Sequence, residues 1–401
     1  MNRELGLKLL SRVMDWSDTE ATAEFDWLSF MAAYKYDGYR DYCAGARFLE
    51  SLAIWLQQFN VLDRKVAYSF VKENLIYFSP GEIERLVEKL VPEEVQRNLI
   101  QQVASSLRIS PYQVWSSPEY ERAYSIERRK TLFMGLSDGA RVDILRRMNS
   151  GVISNEQVVV ATQIDVDKWK SLVSDLRENL REIGDDDADT AQFNTVYLVD
   201  DFTASGTSIL PDPEIVGGLK GKLVKFLQSV ERIREKPKEY HPFSHGYKIC
   251  VHHYIATEDA KSRISTVFEK VKKEFESQFG VLNIEFSYGI VIPGSVTIGK
   301  DSEHPIAALC RKYYDPALEG KGKHGGQSGV KEKMFGYANC GLPVVLEHNT
   351  PNNSLALLWA RTDSPDSPHR MRPLFYRRER HSDLEQVVIS NSNGVENEQP
   401  V

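Results

Sequence analysis

The sequence predicts an α/β protein, a doubly wound and mostly parallel sheet that follows an all-helical N-terminal region. Three observations carry this. Residues 1–120 show helical periodicity, few glycines and no strand-like alternation. From Lys130 onward, short apolar β-rich runs alternate with amphipathic stretches, the pattern of strands joined by crossover helices. One of those runs ends in two adjacent carboxylates and a small-residue loop, where open α/β sheets hold their ligands. The boundaries drawn from these changes of texture are 1–125 for the helical region, 126–362 for the α/β domain and 363–401 for a C-terminal extension.

In the helical region, Ala46–Phe59 and Val66–Phe78 carry apolar residues at three- and four-residue spacings. Ser79-Pro80-Gly81-Glu82 supplies an N-cap, a first-turn proline and a capping-box glutamate, so a helix is expected from there to Leu90. Pro92-Glu93-Glu94 is expected to open the next helix, and Ser110-Pro111 a short one. The strands expected beyond are Thr131–Gly135, Gln157–Ala161, Val196–Val199, Tyr247–Ile255, Leu282–Ile292 and Leu342–Leu346. Helices are expected at Arg141–Met148, Asp167–Ile183, Val216–Arg234, Glu258–Phe279 and Pro305–Tyr314. The last residues, VVISNSNGVENEQPV, have the composition of a disordered tail.

A composition of 41% hydrophobic and 27% charged residues is enough to build a core. No run has the length and apolarity of a membrane-spanning helix, and MNRELGLKLLSRVMDW lacks a signal peptide's apolar block; a cytoplasmic protein is expected. Cys43, Cys250, Cys310 and Cys340 form no CxxC pair and read as reduced thiols, not as a zinc site. The net charge of −7 repels polyanions, so any phosphate or nucleic-acid binding must come from local basic clusters.

The chemistry concentrates in Val196–Ser208, VYLVDDFTASGTS. A buried-strand run ends in Asp200 and Asp201, and Thr203-Ala204-Ser205-Gly206-Thr207 follows. A small-residue loop presents backbone N–H groups to a phosphate, and the three hydroxyls add donors. Two carboxylates just before it suit a diol, since each accepts from sugar hydroxyls. A surface acid pair beside an ordinary turn is the bland alternative; here strand, both acids and hydroxyl-rich loop fall in one register. Pro211 and Pro213 follow so soon that the next helix must be short or interrupted.

This segment resembles the PRPP-binding motif of the type I phosphoribosyltransferases, especially the orotate phosphoribosyltransferase form. The resemblance implies that Asp200 and Asp201 hold the ribose 2′ and 3′ hydroxyls. It implies that Thr203, Ala204, Ser205, Gly206 and Thr207 hold the 5′-phosphate. It further implies Mg²⁺ carried with the substrate's pyrophosphate, and an earlier strand–loop–helix unit that contacts that pyrophosphate. Thr131–Gly135, the tight loop Leu136-Ser137-Asp138-Gly139-Ala140 and the helix from Arg141 fill that place. Arg128, Arg129, Lys130, Arg141, Arg146 and Arg147 cluster around it in sequence, either as pyrophosphate ligands or as a solvated basic face.

Lys323-His324-Gly325-Gly326-Gln327-Ser328-Gly329 is a glycine-rich loop with two possible donors. Leu342–Leu346 ends in Glu347-His348-Asn349-Thr350-Pro351-Asn352-Asn353-Ser354, where His348 and Asn349 could read a base or complete the sugar-phosphate site. An Asn/Pro turn chosen for its backbone is the competing reading. The HNTPNN block, the SDGAR loop and the DDFTASGT loop together resemble phosphoribosyltransferase-like proteins of bacterial conflict and defence loci, including some beside retron reverse transcriptases. That resemblance implies a nucleotide-modifying effector with a phosphorylated ribose or nucleotide as ligand. As partner it implies a reverse transcriptase–nucleic-acid complex or another defence protein, with no membrane contact and an oligomer open. The alternative is a non-catalytic PRPP- or nucleotide-sensing or scaffold subunit of a nucleoprotein complex. His252-His253 reads as a pair of core histidines with satisfied hydrogen bonds, and the basic residues at 369–381 as a solvated or partner-facing surface.

Overall fold

The computed structural model describes residues 3–42, 47–160, 164–280, 283–319, 332–363 and 369–377. The chain begins with helices α1 (Arg3–Met14), α2 (Asp18–Tyr34), α3 (Phe48–Gln57) and α4 (Val61–Glu73). The helix expected to reach Phe78 stops at Glu73. The chain then extends into a three-residue strand, β1 (Ile76–Phe78), inside the region expected to be all helical. The cause is tertiary: β1 pairs in parallel with β7 (Val344–Leu346), a partner that no local pattern can announce.

Ser79 caps α5 (Pro80–Lys89) as expected, accepting from the Glu82 N–H while the Glu82 carboxylate accepts from the Ser79 N–H at 2.7 Å. Pro92 does not open a new helix. It lies in a π turn, Leu90–Val95, that runs α5 directly into α6 (Gln96–Leu107). A proline has no N–H to give to the preceding turn, and a local widening of the helix absorbs the loss. Helix α7 (Pro118–Arg129) leads into the sheet domain.

That domain alternates strand and helix: β2 (Thr131–Gly135), α8 (Val142–Met148), β3 (Val158–Val159), α9 (Val166–Ile183) and β4 (Phe193–Thr203). Next come α10 (Pro213–Val216), α11 (Lys222–Arg234), β5 (Phe243–Thr257), α12 (Glu258–Phe279) and β6 (Asn283–Ile292). The five strands form one parallel sheet in the order β3-β2-β4-β5-β6, as the α/β reading required. Helix α11 starts six residues later than the expected 216, because Gly217, Gly218 and Gly221 turn the chain through left-handed backbone. The strand expected at 342–346 is not part of this sheet; as β7 it pairs with β1 alone.

Alternate side chains of the central strands enter opposite layers. Leu198, Val251 and Met134 pack with α9, α11 and α12, whereas Val199, Tyr197, Cys250 and Tyr254 pack with α5, α6 and α8. A third apolar cluster unites α1–α4 with α13 (Pro305–Lys312), α14 (Ala356–Trp359) and Phe375. Its link is explicit at Trp55, whose indole N–H donates to the Leu357 carbonyl at 2.7 Å. The two-stranded sheet stands between clusters: Val345 belongs to the third, and Val344 and Leu346 face the sheet domain. Among the described residues no helix is long and apolar enough to cross a membrane.

Replacing Ser79 by alanine removes the cap of α5. The expected loss is about 1 kcal/mol of unfolding free energy, read by urea denaturation, with the native circular dichroism spectrum retained.

Candidate functional site

The strand order reverses between β2 and β4: the chain moves outward from β2 to β3, then crosses to the other side for β4, β5 and β6. The crevice at the carboxyl ends of the strands flanking such a reversal is the binding position of doubly wound sheets. The Ser137–Ala140 loop leaves β2 there, and beside it Asp200 and Asp201 lie near the carboxyl end of β4, which continues to Thr203 and into the 203–207 loop.

Consecutive strand residues point to opposite faces, so the two acids enter different layers. Asp200, 2% exposed, follows Leu198 toward α11. There Lys222 Nζ meets its Oδ2 at 2.5 Å, and the Ser137 hydroxyl donates to Oδ1. Asp201 follows Val199 toward the other layer, where His348 Nε2 lies 2.9 Å from its Oδ2. The Phe202 N–H donates to Oδ1 at 2.8 Å. Gly139 lies against the same carboxylate so closely that a Cβ there would stand 2.3 Å from Oδ2.

These surroundings pull the two acids apart. Burial first, and the charge of Asp201 second, push the Asp200 carboxyl up to about 6, against Lys222 and Ser137. Burial also raises Asp201, but the His348 hydrogen bond and charge outweigh it and hold that carboxyl below its ordinary range. His348 itself is pushed up to about 9: burial lowers it, and the hydrogen bond to Asp201 with the adjacent Glu347 carboxylate more than reverse this. His348 is therefore an imidazolium at neutral pH, bridging Asp201 and Glu347 Oε1, which lies 3.4 Å from its Nδ1.

Glu347 ends β7 and is almost wholly buried. Arg141 Nη2 binds its Oε1, and Arg40 Nε from the N-terminal region lies 2.8 Å from Oε2. Burial would raise this carboxyl, but His348, Arg141 and Arg40 keep it lowered and ionised. Arg141 is held in left-handed backbone, φ 51°, a conformation that costs a non-glycine residue of order 1 kcal/mol. Its Nε is buried with no hydrogen-bond partner.

The 203–207 loop is compact. Ser205 Oγ and Thr207 Oγ1 share a 2.9 Å hydrogen bond, and Gly206 sits so close to α12 that a Cβ would stand 2.8 Å from Ile264. The Ala204 carbonyl accepts from Thr257 Oγ1 at 2.7 Å, while Thr203 Oγ1 is buried without a partner. Among the described residues, no turn hydrogen bond uses the backbone N–H groups of Ser205, Gly206, Thr207 or Ser208. The helix after the loop, α10, has four residues, in keeping with Pro211 and Pro213. The first N–H groups of α11 are taken by the Ser208 and Ile209 carbonyls, so its dipole is closed off by the loop itself.

Of the residues singled out in the sequence, Asp200, Asp201, Ser137, Gly139 and His348 thus come into contact, and Arg141 joins through Glu347. Asp138 is exposed, and Asn349 closes a tight turn with Leu346, its Oδ1 buried and unpartnered. Residues 323–329 lie outside the described residues, as do Cys43, residues 378–381 of the basic run and the tail. The basic cluster does not assemble at the 137–141 loop. Arg128 and Arg129 lie at the other end of β2, Lys130 pairs with Asp185 at 3.2 Å, and Arg147 is exposed beside Asp143. His252 and His253 are buried, but only His252 finds a partner, Ser287 at 2.8 Å; His253 has none at either nitrogen. Burial lowers them to about 4 and about 3, so both are neutral.

The sequence reading missed Lys222, Glu347 and Arg40. Glu347 carried a usable signal, a carboxylate at the end of an apolar run, the same that marked Asp200. Lys222 and Arg40 carried none. Among the described residues no three His, Cys, Asp or Glu side chains converge as metal ligands.

Compared with known protein families, the chain matches PRTase-CE over residues 52–377. It belongs to that family. This PRTase-CE protein is accordingly phosphoribosyltransferase-like, and the matched span contains the acid pair, the 203–207 loop, Lys222 and the Glu347-His348 pair. Arg40 precedes it. No curated protein and no solved structure matches the chain.

Two outcomes test this geometry. Gly139→Ala places a methyl on the Asp201 carboxylate; a loss of about 1–3 kcal/mol is expected in denaturant unfolding. His348→Gln removes a group whose folded value near 9 exceeds its unfolded value. Its contribution is complete below the unfolded value near 6.5 and disappears as pH rises through 9. Wild type should therefore lose up to about 3 kcal/mol between neutral and strongly alkaline pH, and the variant should show little of that decline.

Proposed function

We propose that the protein binds PRPP, or a related ribose-5-phosphate nucleotide, with Mg²⁺ and acts at ribose C1. The observation that carries this reading is the acid pair at the switch point, followed at once by a loop with free backbone donors. Ribose hydroxyls would replace Ser137 and His348 as donors to Asp200 and Asp201, and the 5′-phosphate would take the N–H groups of 205–208. On this reading a pyrophosphate at C1 would be met by Arg141 and the Ser137–Ala140 loop.

A hard divalent cation would arrive with the diphosphate, and Asp200 and Asp201 are the carboxylates that would meet it once a ligand displaces their own partners. Such an ion keeps most of its waters and phosphate oxygens and needs one or two carboxylates at most, not a protein cage. The cation would supply charge neutralisation at the leaving group. The chain's part is to orient the sugar through its hydroxyls, exclude water, and meet developing charge with fixed dipoles and Arg141. Cleavage at C1 through an oxocarbenium-like state needs no nucleophile from the protein.

The motif resemblance supports a role as a nucleotide-modifying effector in bacterial antiviral defence, in the cytoplasm and alongside a nucleoprotein or protein partner. The second reading, a sensor or scaffold that binds without turnover, is favoured by one feature. Every carboxylate of the site already has a cation of the protein's own, Lys222 for Asp200, His348 for Asp201 and Arg141 with Arg40 for Glu347.

Calorimetry of PRPP with Mg²⁺, on wild type and on Asp200→Asn/Asp201→Asn, combined with a pyrophosphate-release assay against bases and nucleotides, separates these. Binding lost in the double variant together with pyrophosphate release is the expected result for a transferase. Binding without release establishes the sensor, and no binding removes PRPP as the ligand. Because ligand hydroxyls favour ionised Asp200, whose carboxyl titrates near 6, binding should tighten as pH rises through 6.

A further inference from the structure

The two edges of the five-stranded sheet are unlike. β3 is two residues long, and so short an edge offers little for another strand to pair with. β6 (Asn283–Ile292), the other edge, has ten residues and is longer than most strands. Among the described residues no strand lies beyond it, and no loop hydrogen bonds to its backbone outside the ladder with β5.

An open edge invites pairing with another chain, and soluble proteins ordinarily blunt it with lysine, proline or a bulge. β6 has none of these. Its sequence, NIEFSYGIVI, contains no proline, lysine or arginine, and its pairing with β5 keeps one register from Asn283 to Ile292. Its single charge, Glu285, is already paired with Lys248 of β5 at 2.7 Å.

The side chains of this edge are apolar on one face. Ile284, Phe286, Tyr288 and Ile290 fall at every second position and so share the face that α12 covers. There Phe286 meets Phe268 of α12 edge-on, with ring centroids 5.4 Å apart. The cover is incomplete: the first three are half-buried and Ile290 is 40% exposed, whereas β4 and β5 are buried along most of their length.

A second copy of the chain fits this edge because the row is its own complement. Two identical edges related by a two-fold axis perpendicular to the sheet pair antiparallel and keep each face's side chains together. With the axis at Ser287, Ile284 meets Ile290 of the second copy and Phe286 meets Tyr288, so all four apolar residues find apolar partners. Glu285 then faces Gly289. The two Glu285 side chains stand four residues apart along the strands, roughly 13 Å, beyond the screening length of about 8 Å.

We propose that the protein is a two-fold dimer joined by antiparallel pairing of β6 with β6 of a second copy, which makes one continuous sheet across both chains. This contact does not depend on the function proposed for the acid pair.

The test is sedimentation equilibrium of the full chain at micromolar concentrations, with Ile290→Lys and Phe30→Lys beside wild type. Phe30, stacked on Tyr34, is the control, because it belongs to a different exposed apolar patch, on α2. Wild type is expected to be dimeric. Ile290→Lys puts a charge on the open edge and should dissociate at least about tenfold more readily, with unchanged circular dichroism, while Phe30→Lys should match wild type. Ser287→Cys reads the same contact without adding a charge: residues directly opposite across antiparallel strands are near enough for a disulfide. Mild oxidation should therefore link the two chains there, as located by peptide mapping. A monomeric wild type, or a dimer that Ile290→Lys leaves intact, overturns the proposal. A dimer lost in Phe30→Lys instead moves the contact to α2 and overturns it equally. A dimer broken by Ile290→Lys but not linked through Ser287→Cys overturns the register.

Discussion

Two carboxylates at consecutive positions of one strand cannot share a face, and the candidate site is built around that constraint. Asp200 and Asp201 lie near the carboxyl end of the central strand of a sheet covered on both sides, so each enters a different layer and each needs its own cation there. The α11 layer answers with Lys222 and the opposite layer with His348.

The two neutralisations are unequal, and this gives the pair its chemical asymmetry. Asp200 is the more deeply buried and is raised by burial and by its neighbour; Asp201 is lowered through His348. Adjacent titratable groups pushed in opposite directions are a mark of functional sites. Here the asymmetry also depends on Glu347, which keeps His348 protonated from its far side. A ligand that offers hydroxyls to these acids must compete with the protein's own donors, which favours ligands that bring several contacts at once, such as a sugar carrying a 5′-phosphate.

The small β1–β7 sheet is what brings His348 to this place. Val344–Leu346 is held against Ile76–Phe78, the Glu347 N–H donates to the Phe78 carbonyl at 2.9 Å, and Arg40 reaches the Glu347 side chain. The N-terminal helices therefore do more than precede the sheet domain. They share a core with Ile298, α13, Phe335, α14 and Phe375, and hold the strand whose end completes the acid pair's surroundings.

Local chemistry made much of this legible in the sequence. Apolar β-rich runs, the amphipathic helices between them and the Ser79 capping box each depend on neighbours within a few residues, and they appear close to where the pattern put them, the start of α11 excepted. The strand–acid–acid–loop order of 196–208 was legible for the same reason, since one short segment contains all of it. What the sequence alone did not determine depends on contacts between distant residues. β1 is a strand only because β7 lies beside it, and Pro92 sits in a π turn because α5 and α6 continue as one packed run. Lys222 and Arg40 enter the site because folding brings them to buried carboxylates. Arg128 and Arg129 leave it for the opposite end of β2, because a strand separates its two ends however close they are in sequence.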